Sequence, residues 1–314
     1  MKPIMCPYRN EEDYWRTRQF LRDVMLANGL SQHSWHVACL DYWWWFVNPH
    51  IEKFDLTQAM FFWETEAGEI AAVLNPQGKG EAYLQMHPKF RTRELEEEMI
   101  LTAEKHLKHQ NKEGTQSIWV FADSNDAIRH EILQGLGYQK VERPGMSEVV
   151  HIASLENEIA EVETPKGYTI RALGDGLELL ERCYASGLGF HDDDIHTARE
   201  NRDDPTWYHD IQSAPLYRRD LDIVAVADDG SIAAFCTVWF DDVTRTAYFE
   251  PVATVPKHQR HGLGKAVLTE GLRRLKRMGA KLATVGGYSE RANALYFSVF
   301  GKEHEVSEPR EKLG

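Results

Sequence analysis

The chain has 314 residues, 42% of them hydrophobic and 27% charged, which suits two globular domains that each bury a core. Its formal net charge of −13 argues against nucleic acid or an acidic membrane surface as a partner, because both require a basic footprint. Cys6, Cys39, Cys183 and Cys236 are scattered, and neither a signal-peptide core nor a long apolar run is present. These features speak against a zinc ribbon, a disulfide framework and a membrane span, and a reducing cytoplasm fits best.

In chain order, a first helix is expected over 14–28, followed by the aromatic segment HVACLDYWWWFVN. Trp43, Trp44 and Trp45 cannot share one helix face, so packing in the core and against a second domain is expected of them. MFFWET and EIAAVLN read as a hairpin and EAYLQMHP as a strand. A helix follows over about 93–109, then the strand SIWVFAD, a helix over 125–135, and strands in KVER and MSEVVHIAS. Residues 158–167 are polar, acidic and broken by Pro165-Lys166-Gly167, and read as a linker.

The second half repeats this grammar. A helix over 177–188 precedes the polar segment GLGFHDDDIHTARENRDDPTWYHD, and IVAVADDGSIAAFCTVWF is a hairpin with Asp-Gly at its turn. The strand TAYFEPVATV, a glycine loop, a helix to about Met278, the strand KLATVGGY and a helix from about Arg291 complete it. Pro88-Lys89 and Pro256-Lys257 lie 168 residues apart. At that offset Leu95 meets Leu263, Met99 meets Val267, Ile100 meets Leu268 and Leu107 meets Leu275. Two copies of one α/β (α+β) unit are expected, over 1–157 and 168–314. The first copy has room for two strands after its last helix and the second for one. The second copy is therefore expected either to miss a final strand or to borrow one from the other half, with MSEVVHI as the candidate to cross over, and extensive contact between the halves is expected.

The stretch PKHQRHGLGKAVLTEGLRRL places Gly262 and Gly264 where a strand feeds a helix. The first amides of a helix lack internal partners and carry the positive end of its dipole, so this loop reads as an anion nest. Arg260 and Lys265 supplement it. A dinucleotide fingerprint would need glycine at Val267. A P-loop would need Ser or Thr at Ala266 and glycine at Gln259.

Gln259-Arg260-His261-Gly262-Leu263-Gly264, set between a strand and a helix, resembles the signature of the GCN5-related N-acetyltransferase (GNAT) superfamily. The tandem layout is similar to that of the mycothiol synthases. The resemblance implies two tandem domains, each a mixed, mostly antiparallel sheet flanked by helices, with acetyl-CoA as co-substrate and no metal. Its diphosphate is then wrapped by Gln259, Arg260, His261, Gly262, Leu263, Gly264 and Lys265, and backbone at Val252, Ala253 and Thr254 meets the thioester and pantetheine. Pro251 is compatible with the strand bulge of the family. Glu250 is the candidate base for the incoming amine, with Asp241 and Asp242 as substitutes. RANALYFSVFG resembles the family's fourth helix, with Tyr296 as proton donor to the thiolate and Asn293 one turn before it, although Phe300-Gly301 replaces the usual Gly-Phe.

The first half lacks the glycines and the tyrosine. Glu94, Glu96, Glu97 and Glu98 crowd the loop position and Leu133 stands for Tyr296, so that half reads as catalytically silent. The acceptor is expected to be a small-molecule primary amine. The acidic segment around His191 and His196, with Trp207 or Tyr208 as an aromatic wall, could recognise a cationic one. The alternatives are a non-catalytic acyl-CoA sensor or transfer of a longer acyl group.

Overall fold

The computed structural model describes residues 2–31, 33–110 and 114–314. Along the chain lie β1 (Ile4–Pro7), α1 (Glu11–Ala27), α2 (Val37–Tyr42), a π-helical turn (Trp43–Glu52), α3 (Leu56–Ala59), β2 (Phe61–Glu64), β3 (Ile70–Asn75) and β4 (Glu81–Met86). Then come α4 (Arg93–His106), β5 (His109–Gln110), β6 (Gln116–Asp123), α5 (Ala127–Gly135), β7 (Gln139–Lys140) and β8 (Glu148–Ser154). The second half contributes β9 (Tyr168–Ala172), α6 (Leu177–Phe190), α7 (Ile195–Asp203), α8 (Thr206–Ser213), β10 (Asp222–Ala227), β11 (Ile232–Asp241) and β12 (Thr246–Thr254). It ends with α9 (Leu263–Arg277), β13 (Leu282–Gly287), α10 (Glu290–Phe300) and β14 (His304–Leu313).

Two compact units form, Met1–Val150 with His304–Gly314, and His151–Glu303. Their limits differ from the domain limits read in the sequence. The second unit begins inside β8, and the C-terminal strand belongs to the first unit. In the first unit the strand order is β1-β2-β3-β4-β6-β14. Its last member pairs antiparallel with β6 from Ser307↔Asp123 to Leu313↔Ser117. The chain end is thus the strand that completes the first sheet. KVER is a strand only at its Lys140 end, beside Arg310.

In the second unit the residues of β8 from His151 onward lie beside β13, followed by β12, β11, β10 and β9. From β9 to β12 the neighbours pair antiparallel, and β12 and β13 pair in parallel. The hairpin β10–β11 turns at Gly230, whose φ is +84°, with the Asp229 carboxylate accepting from the Ser231 N–H at 2.9 Å.

The repeated apolar positions are core positions in both units. Leu95, Met99, Ile100 and Leu107 are buried in one, and Leu263, Val267, Leu268 and Leu275 in the other. Each burial of this kind is worth about 1.5–3 kcal/mol, enough to press α4 and α9 onto their sheets. The α9 face meets Cys236, Val238 and Phe249, so the helix that follows the glycine loop is anchored under the strands that precede it.

The tryptophan segment is not a regular helix. Its π-helical turn carries Pro49 inside and ends at Lys53 in the left-handed region. Trp43 donates to Gln77 O, Trp45 donates to the Tyr14 hydroxyl and Trp44 stacks on Tyr14. All three serve the first unit's own core.

Candidate active site

The bulge expected at Pro251 is present. Cys236 faces Val252 and Val238 faces Phe249, so Glu250 and Pro251 together oppose the single residue Thr237. The Glu250–Pro251 peptide is cis. The Glu250 carbonyl accepts the indole N–H of Trp239, on the neighbouring strand β11, at 2.6 Å. Beyond the bulge, Val255 donates its N–H to Ala233 O. Antiparallel alternation then turns the backbone of Ala253 toward β11 and that of Val252 and Thr254 outward. On that outer side β12 runs parallel with β13 only from Thr246↔Leu282 to Tyr248↔Thr284. The two strands pair no further, and Val252 and Thr254 face the mouth between them.

The glycine loop closes the end of this mouth. Gly262 is the N-cap of α9 with φ +79°, and no side chain caps the helix. The first intrahelical acceptor, Gly262 O, serves Ala266, and the N–H groups of Leu263, Gly264 and Lys265 have no partner among the described residues. Arg260, with φ +66°, His261 and Lys265 are exposed around them. The two glycines act differently. A Cβ at Gly262 would meet nothing nearer than 3.9 Å, so its requirement is conformational. At Gly264 a Cβ would stand 2.9 Å from Leu295, so its requirement is the close seating of α9 on α10. Gln259 is spent on the loop itself, donating to Thr254 O at 3.0 Å and accepting from Arg291. The Tyr168 hydroxyl pins the loop from β9, 3.0 Å from His258 Nδ1.

Across the mouth, α10 presents Tyr296 and Asn293. The Tyr296 ring is buried, and its hydroxyl makes no hydrogen bond to a described residue. Burial first, then the Glu250 carboxylate and Cys236, push its phenol well above the usual tyrosine range. The Glu250 carboxylate thus lies near enough to the phenol to act on its charge. Gly287, at the end of β13, makes room for them, since a Cβ there would lie 2.2 Å from Asn293 Oδ1 and 3.1 Å from the Tyr296 ring. Asn293 Oδ1 is 2.9 Å from Nε2 of the buried His151.

Of the other candidates, Asp241 accepts from the Thr244 N–H and hydroxyl within a turn, and Asp242 is exposed. Tyr208 is no open aromatic wall. It is buried, and its hydroxyl donates to the buried Asp222 at 2.6 Å, alongside Tyr217 at 2.8 Å. His196 pairs with Glu200, and among the described residues no three His, Cys, Asp or Glu side chains are grouped to hold a metal.

The first unit closes both features. Thr92 caps α4 through the Leu95 N–H, so its amides are not free in the same way. Glu96, one of the four glutamates that crowd the loop position in the sequence, is fully buried between Arg91 and Arg129, and Arg91 also holds Asp126 at 2.7 Å. Strands β4 and β6 pair in parallel only at Glu81↔Trp119 and Ala82↔Val120. Past that point Arg129 spans them, donating to Phe121 O and contacting Met86 Sδ. A guanidinium and its carboxylates fill the place that stays open in the second unit.

Trp239, His151 and Gly287 were not singled out in the sequence. Only Gly286-Gly287 in KLATVGGY carried a local signal; the other two depend on which strands become neighbours.

Residues 181–301 match the acetyltransferase (GNAT) family model. No curated protein matches the chain. Among solved structures, a GCN5-related N-acetyltransferase from Sphaerobacter thermophilus is similar at 18% identity with a TM-score of 0.62, covering 99% of this chain and 95% of that one. A tandem GNAT protein from the clavulanic acid biosynthesis pathway is similar at 12% identity and a TM-score of 0.63, covering 99% and 98%. A GNAT-family acetyltransferase from Colwellia psychrerythraea covers 98% and 100% at 11% identity and a TM-score of 0.59. The family match thus falls in the second half of the chain, from within α6 to the end of α10. Over its whole length the chain has the tandem GNAT fold.

Proposed function

We propose that the protein is an N-acetyltransferase that moves the acetyl group of acetyl-CoA to a primary amine of a small molecule, and that the second unit does the work. One observation carries this reading: an uncapped helix start with three free amides, set beside two parallel strands that part company just before a bulge. Free amides at a helix N-terminus suit the diphosphate of the co-substrate. The mouth between β12 and β13 suits its extended arm, and the outward N–H groups of Val252 and Thr254 suit the oxyanion that forms at the thioester carbonyl.

The chemistry then balances within this chain's residues. The amine nitrogen bonds to the carbonyl carbon and the carbon–sulfur bond breaks. Glu250 takes the proton of the amine, and Tyr296 gives its proton to the departing sulfur. Solvent exchange returns both groups to their starting states. The phenol's raised pKa makes it a poor acid while Glu250 is charged. Neutralising Glu250 removes part of that hold, so the donor improves as the leaving group forms. The closed first unit, with Arg129 across its strands, fits a silent copy.

The test is a panel of amines assayed for free thiol release from acetyl-CoA, with calorimetry of CoA binding. Glu250→Gln and Tyr296→Phe should each lose turnover and keep CoA affinity. Binding of CoA without turnover on any amine, in the unaltered protein, would mark a sensor instead. Comparing acyl chain lengths in the same assay separates acetyl transfer from longer-chain transfer.

A further inference from the structure

His151 is fully buried, and it is the first residue of the second unit although it sits on the strand that follows the first repeat. Its Nε2 lies 2.9 Å from Asn293 Oδ1, and its ring meets Tyr296 edge-on at 5.5 Å and Phe297 at 4.3 Å between centroids. We infer that His151 is a positioning residue for the transfer: through one hydrogen bond and one ring contact it fixes Asn293 and Tyr296 over the mouth between β12 and β13. The inference rests on the proposed function, because those two side chains matter only if the mouth holds the co-substrate.

Three features of the molecule support it. Asn293 and Tyr296 are a turn apart on α10, and both lean on Gly287, which offers no Cβ to hold them in place. Their other flank is His151. An oxygen acceptor on Asn293 requires the proton on Nε2 of the imidazole, and using that oxygen leaves the amide NH2 as the group free to serve a ligand. Finally, the position asks for two properties at once, a flat ring edge and an N–H at its tip. Phenylalanine has the first and glutamine the second; histidine has both.

That division supplies the experiment. With the best amine from the panel, His151→Phe keeps the ring and loses the donor. It should lower kcat roughly tenfold, the worth of one hydrogen bond, with CoA affinity and melting temperature little changed. His151→Gln should recover most of kcat. In an Asn293→Ala background, His151→Phe should cost nothing further, because the two changes remove one interaction. An unaltered kcat in His151→Phe, or losses that multiply in the double variant, would overturn the inference, since both outcomes belong to a ring that merely packs. A second readout needs no turnover. The imidazole Nε2–H resonance of His151, assigned by its loss in His151→Phe, should be protected from exchange in the unaltered protein and lose that protection in Asn293→Ala. If no amine is acetylated, the proposed function falls, while this readout still decides whether His151 holds Asn293.

Discussion

The indole N–H of Trp239 donates to the carbonyl of Glu250 at 2.6 Å. That carbonyl lies in the bulge between Phe249 and Val252, where the pairing of β11 and β12 shifts, and a carbonyl left without a partner there would cost about 1–3 kcal/mol. The tryptophan thus ties the bulge to β11 and holds the backbone from which the Glu250 side chain leaves the strand. Trp239→Phe should cost about 1–3 kcal/mol in urea unfolding and lower kcat more than it raises the KM for acetyl-CoA. Loss of stability with kcat intact would mean that Glu250 does not depend on the bulge geometry.

The phenol of Tyr296 is held in its neutral form by burial and by the charge of Glu250. A folded-state pKa above the unfolded value means that the native protein binds this proton more tightly than the unfolded chain does. The associated stability is complete below the ordinary tyrosine value of about 10 and is lost as pH climbs from there toward the folded value. The same sign holds for Tyr14, Tyr138, Tyr208 and Tyr217, all raised chiefly by burial. Stability should therefore be insensitive to these groups in neutral solution and decline above about pH 10. Tyr296→Phe, which breaks no hydrogen bond, should soften that decline. In Glu250→Gln the carboxylate's share of the upward push disappears, so the alkaline fall of residual activity should begin at lower pH. A pH–rate profile in which Glu250→Gln and the unaltered protein fall together would remove the coupling.

The two loop glycines should respond to alanine for unlike reasons. Gly262→Ala meets open space but must adopt φ +79°, a conformation that costs an L-residue about 1–2 kcal/mol. No second substitution should rescue it. Gly264→Ala drives a methyl toward Leu295, an overpacking cost of about 1–3 kcal/mol, and Leu295→Ala should return part of it by opening the space. Thermal unfolding of the two single variants and the Gly264→Ala, Leu295→Ala pair checks this. A Gly264→Ala protein of full stability would show that α9 and α10 can separate at no cost.

Much of this architecture is visible in the chain because local pattern and final structure agree. Continuous apolar runs mark β2, β3, β10 and β11, an Asp-Gly turn marks the second hairpin, and Leu263, Val267, Leu268 and Leu275 mark the buried face of α9. The glycine loop is legible for the same reason, since a positive φ and a missing Cβ are properties of single residues. What stays hidden depends on partners far along the chain. Glu96 reads as one more acidic residue of an exposed helix start until Arg91 and Arg129 enclose it. Gln259 reads as a ligand contact until Thr254 and Arg291 claim its amide. His151 carries no signal, because nothing local says that its strand will stand beside β13. The π-helical turn with Pro49 inside defies the helical period altogether.

The C-terminal strand gives the last prediction. β14 pairs with β6 over seven residues, and Lys140–Glu308 at 2.6 Å and Lys312–Glu104 at 2.7 Å tie it to the first unit's strands and to α4. Truncation after Glu303 would therefore act on the unit at the other end of the sequence. It would leave β6 without the hydrogen-bonding partner on one side and expose an unpaired sheet edge, a ready site for association. Hydrogen exchange followed by mass spectrometry should show protection lost first in β6 and β4, and proteolysis should begin within residues 2–150. A loss confined to α10 and β13, with β6 still protected, would mean that the final strand supports the unit it follows in sequence and not the one whose sheet it completes.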